Sequence, residues 1–128
     1  MKLSKFEKLN SIAQEVTKSF AEDDNYEIES RYMAAASSFA IDVKRIKIAE
    51  TVISYHNKAK ENNKYALIPK AILSIAKNEN LMAEPANTIY ECFFDKRNNN
   101  KFIREVIDAA TVLKYEMRMY KKIENEEE

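Results

Sequence analysis

Residues 26–62 read YEIESRYMAAASSFAIDVKRIKIAETVISYHNKAKEN, from Tyr26 to Asn62, without a proline or a glycine. At 100° per residue, Tyr32, Ala36, Phe39, Val43, Ile46 and Ile53 fall on one helical face. Ile41, Ile48, Val52 and Tyr55 fall on nearly the opposite face. A helix apolar on two sides is buried on two sides, either central in a bundle or partly in an interface. As one piece it would be roughly 55 Å long, with Ser37-Ser38 as the candidate break. This run makes the chain read as all-α, and the flanking segments agree.

Upstream, Phe6, Leu9, Ile12, Ala13, Val16 and Phe20 recur at helical steps behind a Ser4–Glu7 capping box. Asp24 and Glu27 offer a second such box at the start of the long run. Downstream, Glu61-Asn62-Asn63 reads as a turn. A third helix covers about Tyr65 to Lys77, and Pro69 in its first turn would place the start near Leu67 or Ile68. Asn78-Glu79-Asn80 follows, with asparagine able to take the left-handed geometry usually left to glycine. A fourth helix runs from roughly Asn80 or Glu84 to Asp95, with Pro85 in its first turn.

A fifth helix runs from Lys101 to about Ile123, with Asn100 as its cap and Ile103, Val106, Ile107, Ala110, Leu113, Met117 and Tyr120 as its main stripe. No alternating strand pattern persists. The expectation is a five-helix all-α bundle with long second and fifth helices. Residues 1–123 form one domain, and 124–128 form an acidic tail that frays, because glutamates oppose the negative end of a helix dipole.

The chain has 128 residues, two prolines, one cysteine and no glycine. Without glycine there is no Rossmann fingerprint, P-loop or nucleophile elbow. His56 is the only histidine, which excludes any site built on two imidazoles. Cys92 and His56 are too few for a structural zinc tetrahedron. As a nucleophile–base pair they are a poorer reading than a small core thiol and a solvated imidazole. The reading is therefore a non-enzyme, with no catalytic residue, cofactor or metal. A lone cysteine fits a reducing compartment, and no apolar run is long enough for a membrane span, so the expected location is the cytoplasm.

Two surfaces then carry the functional expectation. The second apolar stripes, Ile41, Ile48, Val52 and Tyr55 on helix two and Val112, Tyr115, Met119 and Ile123 on helix five, exceed what five helices readily cover. They suggest a protein partner or a homo-oligomer, as for a small adaptor, inhibitor, immunity protein or regulator.

The charge, 21 Lys and Arg against 21 Asp and Glu, is zero in sum but uneven. Residues 31–64 carry a net +4, while residues 1–30 and 105–128 each carry −3. Lys44, Lys47 and Lys58 lie within about 60° of each other on an ideal helix, with Arg31 and Arg45 on another side. Lys44, Arg45, Lys47 and Lys58 are the candidates for following a nucleic-acid backbone without reading bases.

Phe39-Ala40-Ile41-Asp42-Val43-Lys44-Arg45 and Val112-Leu113-Lys114-Tyr115-Glu116-Met117-Arg118-Met119-Tyr120 resemble the aromatic–acidic–arginine helix and the aromatic-rich last helix of one family. That family is the small helical subunit of type III CRISPR effector complexes. The resemblance implies a short all-α accessory subunit without catalysis, stacked along a nucleoprotein complex, with Arg45, Lys44 and Lys47 on the nucleic-acid backbone.

Overall fold

In the computed structural model, which describes residues 5–21, 26–59 and 64–124, the run from Tyr26 is a strand followed by two helices. The order is α1 (Lys5–Thr17), a 3-10 turn (Lys18–Phe20), β1 (Glu27–Glu29), α2 (Ser30–Arg45), α3 (Ile48–Ala59), α4 (Lys64–Lys77), α5 (Ala86–Asp95), α6 (Asn100–Met117) and β2 (Lys121–Ile123). The described residues are thus mostly helical, with six α-helices rather than five and one short parallel sheet that hydropathy did not predict. The Ser4–Glu7 box, Asp24, the turn at 61–63 and residues 125–128 lie outside the described residues.

The break between α2 and α3 falls at Ile46-Lys47, nine residues after Ser37-Ser38. Lys47 stands at φ 145°, a region that favours glycine, in a chain that has none. Strain of this kind costs about 1–3 kcal/mol. The reorientation that it permits buries Ile48, Val52 and Tyr55 almost completely. Each such side chain contributes roughly 1.5–3 kcal/mol on leaving water, so burial wins. The same rotation exposes Ile46 and Ile53, which the one-helix phase placed on the core face.

The central helix is α4, not the long run. Ile68, Pro69, Ala71, Ile72, Leu73, Ser74 and Ile75 are all buried, and α4 packs against α1, α2, α3, α5 and α6. Pro69 is the sixth residue of α4 rather than a first-turn residue. Lacking an N–H, it cannot donate to the carbonyl of Tyr65. Asn78 ends this helix at φ 58°. Its N–H reaches Ile75 O at 3.1 Å and that of Glu79 reaches Ser74 O at 3.0 Å, the paired bonds of a Schellman stop.

Pro85 is the N-cap of α5. Asn99, not Asn100, caps α6, its side-chain oxygen accepting from Phe102 N at 2.9 Å. α6 ends at Met117 rather than near Ile123, and a turn leads into β2.

The strands pair parallel, Glu27 with Lys121, Ile28 with Lys122 and Glu29 with Ile123. Glu27 therefore sits in a strand and not in a helix-capping box. The short sheet brings the start of α2 beside the end of α6. Because α2 packs along α6, the two helices run antiparallel. Among the described residues no helix is long and apolar enough to cross a membrane.

Candidate functional site

Where α2 begins and α6 ends, an open cavity of about 710 Å³ lies between the two helices and β2. Arg31 from α2, Lys114 and Arg118 from the end of α6, and Lys122 from β2 line it. Ser30, Ser37 and Tyr120 add hydroxyls, and none of the described lining residues is acidic. Helical geometry explains the convergence. Ser30, Met33, Ala34 and Ser37 recur at three- and four-residue steps and share one side of α2, as Lys114 and Arg118 do on α6.

The cations are held differently. Arg31 Nε donates to Glu29 Oε1 at 2.8 Å, and its guanidinium lies 5.2 Å from the Tyr32 ring. One of the four groove charges thus has a carboxylate beside it. Lys114 and Arg118 both lie over Tyr115, at 5.6 and 5.5 Å from the ring centre. Cation–π contact leaves their N–H donors available to an anion. Burial, with Tyr26 and Glu116 nearby, pushes the Tyr120 hydroxyl above the usual tyrosine range, so it stays a neutral donor. What this arrangement can do is bind: three or four positive charges and several hydroxyls face one concave surface.

Of the four cations expected on a nucleic-acid backbone, all are exposed but they are not gathered. Lys44 lies two turns beyond Ser37 on the groove side of α2. Arg45 follows it in the last turn of α2, and Lys47 is in the link. Lys58 is in the last turn of α3, its ammonium 4.9 Å from the Tyr55 ring and 5.8 Å from that of Tyr65.

The apolar stripes are corrected more sharply. Ile48, Val52, Tyr55 and Val112 are in the chain's own core, because the break turns α3 inward and α6 packs on both flanks. Ile41, Tyr115 and Met119 are exposed, and Ile123 is half-buried in β2.

Lys114, Arg118 and Lys122 were not read as a site in the sequence. Residues 105–128 sum to −3, but their negative charge is concentrated after Ile123. Between Lys114 and Lys122 there are four cations and one carboxylate, Glu116, a local excess that a segment sum conceals.

A second, smaller cavity of about 360 Å³ lies between α3 and α5, lined by Ala49, Ile53 and Phe94 with Lys47, Glu50, Arg97 and Asn98. Ile53, 43% exposed, is an apolar part of this wall. His56 makes an edge contact with the Tyr90 ring at 4.7 Å, while half-buried Cys92 has Lys77 Nζ 3.9 Å from its sulfur. Among the described residues no cluster of His, Cys, Asp and Glu could hold a metal ion. No family model, curated protein or solved structure matches the chain.

Proposed function

We propose that this chain is a non-enzymatic binding protein of the cytoplasm, an accessory subunit that holds the phosphate backbone of a nucleic acid in the groove between α2 and α6. The observation that carries this reading is the convergence of Arg31, Lys114, Arg118 and Lys122 on one concave surface of a chain with zero net charge. Contacts of this type neutralise phosphates without reading bases. The groove replaces Lys44, Arg45, Lys47 and Lys58 as the main contact set, with Lys44 as its extension along α2. The test is fluorescence anisotropy with a labelled single-stranded twelve-mer at low salt. Lys114→Glu with Arg118→Glu abolishes binding, whereas Lys58→Glu leaves most of it. Absence of binding by the unaltered chain at low salt overturns the reading.

A second reading is a protein-interaction module, an adaptor, inhibitor, immunity protein or regulator that docks a partner or a second copy. It is favoured by exposed Ile53 in the wall of the cavity that Phe94 also lines. Light scattering on the purified chain tests self-association. A strict monomer whose state is unchanged by Ile53→Ser removes the homo-oligomer form of this reading.

A further inference from the structure

One wall of the groove carries a pair of aromatic rings. Tyr120, which lines it, meets the ring of Tyr26 with 5.9 Å between centroids and the planes tilted by 36°. The parallel register explains the pairing. Glu27 is level with Lys121, so Tyr26 and Tyr120 stand side by side one residue earlier. The N–H of Lys121 donates to the carbonyl of Tyr26 at 2.8 Å and anchors it there.

Tyr26 is placed against the ordinary preference of its type. In a regular strand it would share the face of Ile28, two residues on, which is fully buried. Its backbone instead stands at φ 56°, the left-handed conformation that disfavours a residue with a Cβ. The alternation is broken, and Tyr26 is 66% exposed. A strained residue held by its surroundings, with an aromatic ring turned out to solvent beside a basic groove, points to a ligand.

The chemistry around the rings narrows that ligand. Tyr120 and Lys122 both line the groove and lie about 7 Å apart at the rise of a strand. Lys114 and Arg118 line it from α6. The carboxylates of β1 each have a cation beside them, Glu27 with Lys121 at 3.9 Å and Glu29 with Arg31 at 2.8 Å. A ring and several cations side by side suit a polyanion that also offers flat aromatic faces. A single nucleic-acid strand does, since its bases are free to leave the stack.

We infer that the Tyr26–Tyr120 pair is a stacking platform for a base of a single-stranded nucleic acid whose phosphates lie along Lys114, Arg118 and Lys122. Tyr26 supplies the exposed ring, and Tyr120 braces it at the groove. The platform favours single strands over duplexes, because bases inside a duplex stack on one another and have no free face. This rests on the groove being a phosphate site, the reading given above.

The experiment compares the full chain with Tyr26→Ala and Tyr26→Phe by fluorescence anisotropy at low salt. The probes are the labelled single-stranded twelve-mer, an abasic twelve-mer with the same sugar–phosphate backbone, and a duplex of the same sequence. Tyr26→Ala weakens binding of the base-bearing strand about tenfold, within the range of one base–aromatic stack. It leaves the abasic strand and the duplex unchanged, and the abasic strand doubles as the control for folding. Tyr26→Phe keeps the ring and restores the affinity. The slope of log K against log salt is the same with and without the Tyr26 ring, because stacking releases no counterion.

A merely structural role for Tyr26 would weaken all three probes alike. That result, or equal affinity of the unaltered chain for the base-bearing and abasic strands, overturns the inference and leaves the phosphate groove standing. Binding of neither strand by the unaltered chain removes the groove reading and the platform together, so the two failures are separable.

Discussion

The hydroxyl of Tyr55 donates to the backbone carbonyl of Ala35 at 2.8 Å, across twenty residues and across the break between α2 and α3. The same ring meets Phe39 edge-on at 5.1 Å. These two contacts hold α3 folded back on α2, so the position that a continuous helix would point at a partner is instead a rivet of the core.

Tyr55→Phe keeps the ring and removes the donor. It should cost about 1 kcal/mol at neutral pH, the usual net value of one such bond. Burial, with Asp42 and Tyr65 nearby, pushes the Tyr55 hydroxyl above the usual tyrosine value of 10.0. The neutral form is favoured by the fold, so its stabilisation is complete below pH 10 and is lost as pH rises beyond it. Urea unfolding at pH 7 and pH 11 should therefore show the gap between Tyr55→Phe and the unaltered chain narrowing at pH 11. A gap that widens there contradicts the assignment.

Lys47→Gly should stabilise the chain. It relieves the positive φ at the α2–α3 link, about 1–3 kcal/mol, against an entropy cost of about 0.5–1 kcal/mol for glycine. Lys47→Ala keeps the strain and should change stability by less than about 0.5 kcal/mol. Chemical denaturation of the two variants side by side distinguishes a backbone effect from loss of the lysine charge.

Asn78→Gly and Asn78→Ala should move in opposite directions. Asn78 closes α4 at φ 58°. Alanine there meets the left-handed penalty of roughly 1–2 kcal/mol, and glycine does not. Thermal melts that rank alanine above glycine would show that the stop of α4 does not depend on this residue's conformation.

The salt dependence of binding counts the cations in the groove. With Arg31 already paired to Glu29, contacts from Lys114, Arg118 and Lys122 at about 0.7 counterions each should give log K against log salt for a single strand a slope near −2. Lys114→Gln with Arg118→Gln should bring it near −0.7. A slope unaffected by these two changes would move the phosphate contacts elsewhere on the surface.

Cutting off the Asn99 cap is the simplest check on α6. Asn99→Ala removes the acceptor for Phe102 N and should cost about 1 kcal/mol. Asn100→Ala, one residue on, should cost markedly less. Equal losses would place the cap at neither residue.

Most helices were legible because their signals are local. The stripe of α6, the asparagine stop after Lys77 and the end of α5 at Asp95 each depend on residues within one or two turns. The break at Ile46-Lys47 was not legible. No glycine or proline marks it, and its benefit lies in burying Ile48, Val52 and Tyr55 against elements distant in sequence. One misplaced break reversed the two faces of α3, so Ile53 was assigned to the core and Tyr55 to the surface. The groove was hidden for a related reason. Arg31 and Lys122 are separated by most of the chain, and a parallel strand pair of three residues each joins their neighbourhoods.

By itself, then, the sequence determined that this chain folds largely through helices, where α4 and α5 stop, and which glycine- and histidine-dependent motifs its composition excludes. Apolar spacing, capping and the absence of glycine act within a few residues, and their energies are largely independent of the rest. Only the tertiary structure decided which apolar face is core and which cations stand together. Those are questions of long-range packing, where the burial of three side chains outweighs a strained lysine and a short sheet sets the ends of two helices side by side.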